Sequence, residues 1–348
     1  MVGFALLGAG IFAKERHLPA LEAAEDVQLL AIYSRSKASA EGLASEAKSN
    51  PDIYYDSPAV PGKSLADLLA RADVAAVVVC LPILKQPETI RQALTAGKHV
   101  LSEKPVGKDL ATARSLIAWH AALPDAPLWA VAENFRFMKP LHYAADKVKE
   151  VGGKLVTFHL KMNGFVRETD KYFNTEWRKV PEYQGGFLLD GGVHFVAALR
   201  FLLGAAGDEV KQLTCFSSLL EEKLLPVDTV HAVLATRGGA NGTLGISFGT
   251  EFKSGLEVEI VTTKGAVTWT PTEVKVVRKA DGGDKAEEKE SFGHDSGGVD
   301  EEDAVFARSI AAGAVDPLQT PEEAVKDLEI LQALLESGEA GAGVKTLG

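Results

Sequence analysis

The first 125 residues of this 348-residue chain alternate short apolar strands with helical segments. The segment Gly3–Leu7 precedes a helical pattern around Phe12–Ala24, and the β-branched run Val74–Leu81 precedes another over Pro87–Ala96. Strands separated by helices of this length pair in parallel through right-handed crossovers, with helices on both faces of the sheet. The alternation predicts an α/β fold with a doubly wound Rossmann domain over residues 1–125.

Beyond residue 150 the pattern changes, because apolar strands follow one another without intervening helices. The strand-like segments are Lys154–Met162, Gln212–Ser218, Val230–Thr236, Thr243–Phe248, Leu256–Thr262 and Ala266–Trp269. Strands in series joined by glycine-bearing turns usually pair antiparallel, and a chain of this length exceeds what one hydrophobic core supports. We therefore predict a second, α+β domain over residues 126–348, with a large, mostly antiparallel open sheet that serves substrate binding and oligomerisation.

The last seventy residues contain one polar segment and two helical ones. Lys279–Asp300 is rich in glycine and charge and lacks periodicity, so we interpret it as an exposed hairpin tip or loop. Helical spacing returns over Glu301–Ala312 and Thr320–Ser337, the second of which begins with a capping box. Because open sheets commonly bury one face against a partner subunit, we expect a homo-oligomer, a dimer or tetramer, formed through the C-terminal sheet.

Charge and cysteine content narrow the classes of function. A formal charge of −11 without a compensating block of Lys and Arg disfavours nucleic acids and anionic membranes as partners. The most apolar run, Val74–Leu84, is about half as long as the ~20 residues of a membrane-spanning helix. The two cysteines, Cys80 and Cys215, offer neither a disulfide framework nor metal-ligand spacing. These features predict a cytoplasmic protein with a small-molecule substrate and no metal, nucleic acid or membrane partner.

A glycine motif follows the first strand and opens the first helix. It reads Gly8-Ala9-Gly10-Ile11-Phe12-Ala13, and in this context the pattern G-x-G-x-x-G/A indicates a dinucleotide site. Gly8 would make the tight turn, Gly10 would admit a pyrophosphate next to the backbone, and Ala13 would keep helix and strand close. The N–H groups at the helix start would face the phosphates, with Ile11 and Phe12 beside the cofactor.

The end of the second strand indicates which dinucleotide binds. The chain reads Tyr33-Ser34-Arg35-Ser36-Lys37 there, with no carboxylate to accept a hydrogen bond from a free ribose 2′-hydroxyl. Ser34, Arg35 and Lys37 could instead hydrogen-bond and charge-pair with a 2′-phosphate. The pattern favours NADP over NAD, and solvated surface charge is the alternative.

A lysine follows a later strand of the predicted parallel sheet. Glu103-Lys104-Pro105 comes just after the strand Lys98–Leu101, at the carboxyl edge where open α/β sheets bind ligands. Lys104 could donate to a substrate oxygen, and Glu103 could hold it by an ion pair. Pro105 restricts the backbone there and is a candidate for a cis bond. A solvated lysine is the alternative.

Two ionisable residues stand four apart on an otherwise apolar helix. Asp190 and His194 share one face of the segment Phe187–Phe201, and a helix that is apolar all round is buried. Burying an ionisable pair costs free energy unless the pair is hydrogen-bonded. The pair therefore indicates either a structural polar network or a reaction site.

Taken together, these motifs resemble those of one oxidoreductase family over nearly the whole chain. The family is typified by glucose–fructose oxidoreductase, myo-inositol dehydrogenase and the rhizopine-catabolism protein MocA. The similar segments are the glycine motif, Ala96–Pro105, Glu133–Phe137, Trp177-Arg178, Gly185–His194 and the last helix ending at Gly338.

The resemblance implies roles for particular residues. Lys104 would orient and polarise the substrate oxygen, His194 would exchange its proton, and Asp190 would bind substrate and assist His194. The further residues that it implies on the cofactor or substrate are Leu81, Pro82, Glu103, Asn134, Arg136, Trp177 and Arg178, each of which could instead be structural. Gln86 stands where many members have histidine, which puts the cofactor contacts near Leu81 and Pro82 in doubt.

The function that follows is metal-free hydride transfer between NADP and a secondary alcohol or carbonyl of a sugar, cyclitol or related polyol. One alternative is a regulatory protein that keeps the fold and binds dinucleotide without chemistry. Another is a reductase of a non-carbohydrate carbonyl or a dihydrodiol, which would use the same residues.

Overall fold

The computed structural model describes residues 1–57, 59–280, 283–293 and 297–348, and the chain divides into two compact units. Unit 1 comprises Met1–Asn134 and Ser296–Val325, and unit 2 comprises Phe135–Asp295 and Lys326–Gly348. This division differs from the predicted boundary at residues 125/126 in two respects. The strand after residue 125 still belongs to the first unit, and a later segment returns to it.

Unit 1 is built on a six-stranded parallel sheet in the order β3-β2-β1-β4-β5-β6. Its strands are β1 Val2–Leu7, β2 Val27–Ser34, β3 Asp52–Tyr55, β4 Ala76–Val79, β5 His99–Glu103 and β6 Trp129–Ala132. The strand order reverses between β1 and β4, and ligands of doubly wound sheets bind outside the carboxyl ends at such a point. The predicted Rossmann fold is confirmed.

The helices of unit 1 cover this sheet. They are a π-helical turn Ala13–His17 that continues into α1 Leu18–Ala23, then α2 Lys37–Ala44, α3 Leu65–Leu69, α4 Gln86–Thr95, α5 Leu110–Ala121 and α9 Val299–Ala312. Side-chain caps fix where several begin: Ser36 accepts from the Ser39 N–H, and Asp109 accepts from the Thr112 N–H.

The return of α9 to unit 1 has a clear physical cause. Phe306 is fully buried in the same apolar cluster as Phe4 of β1, and their rings meet edge to face with centroids 6.0 Å apart. In addition, the Val131 N–H of β6 donates to the Gln319 carbonyl at 2.8 Å. The segment after residue 296 therefore completes the core of unit 1.

Unit 2 is built on a nine-stranded sheet in the order β14-β13-β12-β11-β7-β10-β9-β8-β15. Its strands are β7 Leu155–Asn163, β8 Val210–Ser218, β9 Thr229–Thr236, β10 Asn241–Ser247, β11 Gly255–Thr262, β12 Gly265–Trp269, β13 Glu273–Lys279, β14 Lys285–Ser291 and β15 Lys345–Thr346. Among its pairs, β7–β10 is parallel and the others are antiparallel. The predicted mostly antiparallel open sheet is confirmed.

Of the two interpretations of Lys279–Asp300, a hairpin tip or a loop, the structure supports an exposed hairpin and contradicts a loop for the central part. Lys285–Ser291 forms β14, which pairs antiparallel with β13 in the register Val276↔Glu288, and all seven residues of β14 are exposed. Charged side chains on an exposed edge strand prevent pairing with other chains, and they also remove the apolar alternation that identifies a strand. Residues 281, 282 and 294–296 of that segment lie outside the described residues.

Unit 2 also contains helices. They include α6 Lys139–Val151, α7 Glu176–Lys179, α8 Gly186–Ala205 and α10 Pro321–Glu339, whose first residues up to Val325 belong to unit 1. Of these helices, α6 and α8 pack against the sheet of unit 2. The helix α8 is long and apolar enough to cross a membrane, but 72% of its apolar window is buried in the protein, as in the core helix of a soluble protein. Gly192 lets it pack closely, because a Cβ there would lie 3.3 Å from the Leu331 side chain.

Candidate active site

The two glycines of the fingerprint differ in what surrounds them. Gly8 has φ +118°, and a Cβ built on it would lie 2.1 Å from the Cys80 carbonyl oxygen, so only glycine fits there. Gly10 is exposed, and a Cβ on it would meet nothing within 4 Å. The backbone at Gly10 therefore faces open space at the start of a helix, which fits a dinucleotide pyrophosphate.

The remaining fingerprint residues differ in burial. Ala13 is fully buried, which lets the helix lie close to β1. Ile11 and Phe12 are partly exposed beside the turn, as are Leu81 and Pro82 after β4. These side chains are accessible to a bound dinucleotide.

The residues predicted to bind a 2′-phosphate lie at the end of β2 and just after it. Ser34 is partly exposed, and Arg35 and Lys37 are exposed. Lys37 pairs with Glu41 at 3.3 Å on the surface of α2, and Ser36 caps that helix. The ion pair gives Lys37 a partner on α2, and the cap gives Ser36 a structural role at the start of that helix.

A carboxylate that sequence reasoning missed lies next to these residues. Asp56 follows β3, and both of its carboxylate oxygens accept from the Tyr33 hydroxyl at 2.9 Å. Its N–H donates to the Arg35 carbonyl at 3.3 Å. Burial and then Asp56 raise the pKa of Tyr33. Recognising β3 in the sequence would have placed Asp56 beside β2, because parallel strands end at one sheet edge.

Lys104 stands immediately after β5, which ends at Glu103. Lys104 is partly exposed, and the Lys104–Pro105 peptide bond is cis. Leu7, Val79 and Ser102 lie in register across β1, β4 and β5. The glycine turn and the lysine turn thus leave the same sheet edge, separated by two strand spacings, or about 10 Å.

Glu103 has a partner that the sequence did not predict. Its carboxylate accepts from His17 Nε2 at 2.8 Å, and His17 Nδ1 lies 3.2 Å from both carboxylate oxygens of Asp303. Burial alone would lower the pKa of His17, but Asp303 and Glu103 outweigh it and raise that pKa well above its ordinary value. Ligand atoms of His17, Cys80 and Glu103 also lie within 4.8 Å of one another, close enough to share a metal ion.

Asn134 is the last residue of the first segment of unit 1. Its side-chain amide donates to the Gly297 carbonyl at 2.6 Å. This bond joins the end of the β6 segment to the chain just before α9. Cofactor binding by Asn134 stays a prediction.

In unit 2, Asp190 and His194 lie on α8 as predicted. Asp190 is buried, and its Oδ2 accepts from Arg178 Nε at 2.8 Å. His194 is partly exposed, and its ring stacks on Phe135 with centroids 4.7 Å apart. The pair therefore combines a charge-paired carboxylate with an accessible imidazole on one helix.

Two aromatic rings lie close to the guanidinium of Arg178. The guanidinium of Arg178 lies over the Trp177 ring at 3.9 Å and near the Tyr172 ring at 5.4 Å. Sequence reasoning missed Tyr183, whose hydroxyl is influenced by the charge of Asp190. Burial and then Asp190 raise the pKa of Tyr183. The structure thus brings Trp177, Arg178 and Asp190 together in unit 2.

Arg136 lies in a different environment. It is 1% exposed, and its guanidinium forms an ion pair with Asp327, which also accepts from Arg200. Two guanidinium groups on one buried carboxylate make a structural network. This burial favours the structural alternative for Arg136 over substrate contact.

Comparisons with known proteins agree with this architecture. A model described as the oxidoreductase family, NAD-binding Rossmann fold, matches residues 2–124, and one described as the C-terminal alpha/beta domain of that family matches residues 149–346. The chain is 52% identical over 345 residues to Dehydrogenase FPY6 of Fusarium mangiferae, with 99% of each chain covered.

Two solved structures are similar over the whole chain. An oxidoreductase from Thermotoga maritima has a TM-score of 0.85 at 27% identity, covering 99% of this chain and 98% of the other. A 3-ketoreductase from Actinomadura kijaniata, in complex with NADP and TDP-benzene, has a TM-score of 0.76 at 25% identity, covering 97% of both.

The chain belongs to the Gfo/Idh/MocA oxidoreductase family, as its motifs indicated. It is an NAD(P)-dependent dehydrogenase or reductase, with an NAD-binding Rossmann domain in unit 1.

Proposed function

We propose that the protein prefers NADP and transfers hydride between the nicotinamide and a secondary alcohol or carbonyl carbon of a sugar, cyclitol or related polyol. The observation that carries the proposal is the shared sheet edge of the glycine turn and the Lys104 turn. It supports placing a substrate oxygen at Lys104 while a dinucleotide lies along the glycine turn. The 3-ketoreductase structure with NADP and a TDP compound supports the cofactor and substrate class.

The chain's own residues would handle the proton and the oxygen. In the oxidative direction the Lys104 ammonium would donate to the substrate oxygen and stabilise the charge that develops on it. His194 would take the hydroxyl proton as the C=O bond forms. A dinucleotide held at Gly8 and Gly10 would supply hydride acceptance for the carbon that carries this oxygen, and in reduction each transfer is reversed.

Asp190 would bind a substrate hydroxyl next to His194. Its carboxylate is an acceptor for such a group, and the Arg178 guanidinium 2.8 Å away offsets its buried charge. On α8 it stands one turn before His194, where it would also stabilise the imidazolium formed when His194 takes a proton.

The decisive test measures turnover of sugars, inositols and ketoses with NADP(H) by purified wild type and Lys104→Ala. We expect the variant to lose about 100-fold or more in kcat while its Kd for NADP stays within about twofold. Lys108→Ala is the matched control, because Lys108 is an exposed lysine four residues on that pairs with Asp109 at 3.8 Å. Full activity of Lys104→Ala would refute the assigned role.

Wild-type protein that binds dinucleotide but turns over no substrate in the panel would favour the regulatory alternative. Turnover confined to non-carbohydrate carbonyls or dihydrodiols would favour the other reductase.

Cofactor preference has a separate test. Arg35→Ala should raise the Kd for NADP by about tenfold, because one charge-assisted contact to the 2′-phosphate is lost, and should leave the Kd for NAD unchanged. Arg114→Ala, an exposed arginine on α5, is the control. Wild type that binds NAD as tightly as NADP would contradict the proposed preference.

We further propose that the protein is a homo-oligomer formed through the unit 2 sheet. Phe216 of β8 is 71% exposed and Val233 of β9 is 52% exposed on neighbouring strands. Exposed apolar side chains on the face of a sheet suit contact with a second copy of this chain. Light scattering should give a dimer or tetramer, and Phe216→Asp should lower the mass to that of smaller species; a monomeric wild type would contradict this.

We also propose a cytoplasmic location, which the two free cysteines support. Fractionation of cells that produce the tagged chain tests it, and recovery from an exported fraction would contradict it.

A further inference from the structure

Unit 1 buries a cluster of ionisable side chains that the proposed reaction does not use. His17, Glu302 and Asp303 are 0% exposed, and Glu103 is 8% exposed. They come from three elements: the π-helical turn, the end of β5 and α9. Burying so many charges is costly unless they compensate one another.

The geometry limits where the protons of this cluster can reside. Each ring nitrogen of His17 lies within hydrogen-bond distance of a carboxylate, Glu103 at Nε2 and Asp303 at Nδ1. A neutral imidazole has one N–H and one lone pair, and an ionised carboxylate has no hydrogen to donate. Both contacts are hydrogen bonds between His17 and ionised carboxylates only if the ring carries both protons.

The neighbouring acid completes the charge balance. Neither carboxylate oxygen of Glu302 has a hydrogen-bond partner among the described residues, and burial, with Glu103 and Asp303 next, raises its pKa well above the ordinary value. Burial without a hydrogen-bond donor disfavours the charged form of Glu302 and so favours its protonated form. Glu133 and Asp300 also face the cluster through their charges.

The same imidazole contacts both functional turns of unit 1. Its ring packs edge to face against Phe12 of the glycine motif, with centroids 5.4 Å apart. Its Nε2 holds Glu103, the residue covalently joined to Lys104. A single buried side chain therefore connects the dinucleotide turn with the lysine turn.

We propose that His17 is a doubly protonated positioning residue: bridging Glu103 and Asp303, it holds the Lys104 turn in place beside the dinucleotide turn. The effect of His17 on turnover rests on the proposed function of Lys104. The charged bridge and the positioning of the Lys104 turn do not depend on that function. A metal bound by His17, Cys80 and Glu103 would instead need the lone pair of a ring nitrogen, and it is an outcome of the test.

The first experiment needs no activity. Protein labelled with ¹⁵N-histidine should give two slowly exchanging ring N–H signals from His17 at neutral pH, and both should be absent in His17→Gln. A single ring N–H signal would overturn the charged bridge. Stoichiometric zinc in wild type that is lost in both His17→Gln and Cys80→Ser would also overturn it.

The second experiment follows the position of Lys104. Lysines are dimethylated with ¹³C-formaldehyde, and the Lys104 signal is assigned by its loss in Lys104→Ala. We expect that signal to move in His17→Gln and not in the matched control His120→Gln, a unit 1 histidine whose Nε2 lies 2.8 Å from the Pro127 carbonyl. An unmoved signal would overturn the positioning role, even if wild type has no measurable turnover.

The third experiment measures kinetics at a temperature where the variants are fully folded. His17→Gln should lower kcat by about 10- to 100-fold, with the Kd for NADP within about threefold, because a displaced Lys104 loses alignment rather than binding. A lower melting temperature with unchanged kcat would assign His17 to stability alone and overturn the proposal. Wild type without any turnover would refute the proposed function. The first two experiments would still decide whether His17 forms the charged bridge and positions Lys104.

Discussion

The sharpest single prediction contrasts the two glycines of the fingerprint. In Gly8→Ala the new methyl group would lie 2.1 Å from the Cys80 carbonyl oxygen, on a residue with φ +118°. In Gly10→Ala it meets nothing within 4 Å, and the φ there is not in the left-handed region. The first substitution should therefore destabilise the fold, whereas the second should affect only the binding of a ligand.

The expected magnitudes follow from those surroundings. Gly8→Ala combines left-handed backbone strain with a backbone clash, so it should lower the free energy of unfolding by about 3 kcal/mol or more. Gly10→Ala should change that free energy by less than about 1 kcal/mol. If a pyrophosphate contacts the Gly10 backbone, the methyl group should remove charge-assisted bonds worth about 1.5–3 kcal/mol, or about 10- to 100-fold in Kd.

Urea unfolding and calorimetric titration with NADP measure the two effects separately. Gly42→Ala is the control, because Gly42 lies in α2 and a Cβ there also meets nothing within 4 Å. It should stabilise the protein by up to about 1 kcal/mol and leave NADP affinity unchanged. If Gly10→Ala binds NADP as tightly as Gly42→Ala does, the phosphates do not lie at Gly10 and the reasoning fails.

Three further predictions rest on single groups. Asp56→Asn should tighten NADP binding a few-fold by removing a negative charge near Arg35; titration showing no change would place the 2′-phosphate elsewhere. The pKa of His17 is raised in the folded protein, so its contribution to stability should be complete below about pH 6.5 and be lost as pH rises through the folded pKa. Denaturation of wild type and His17→Gln at several pH values should show that their difference in free energy of unfolding shrinks in alkali. A difference that stays constant with pH would contradict this. Burial raises the pKa of Cys215 to about 12, so a thiol reagent should modify only Cys80 in the folded protein, and two reactive thiols before unfolding would contradict this.

Local patterns in the sequence predicted those parts of the fold that depend on neighbouring residues. Three such parts can each be recognised within about twenty residues: the fingerprint, the strand before Lys104, and the apolar helix that carries Asp190 and His194. The edge strand β14 escaped prediction because both its faces are exposed, so its side chains carry no alternation of burial.

Contacts between distant segments could not be predicted from one sequence. His17 and Asp303 are 286 residues apart, and nothing near either of them indicates the other. Asp56 was missed because β3 has four residues, too few for a periodic pattern. The partner of Arg178 depends on how the segment before α8 folds back, which no local rule specifies.

The return of α9 to unit 1 has a consequence for biosynthesis. A ribosome adds about 5–20 residues per second, so the 286 residues between His17 and Asp303 take roughly 15–60 s to emerge. During that interval the nascent unit has Phe4 without Phe306 and the imidazole of His17 without one of its two acids. A fragment ending at Asn134 should therefore be a substrate for chaperones and proteases, because unit 1 is complete only after α9 has left the ribosome.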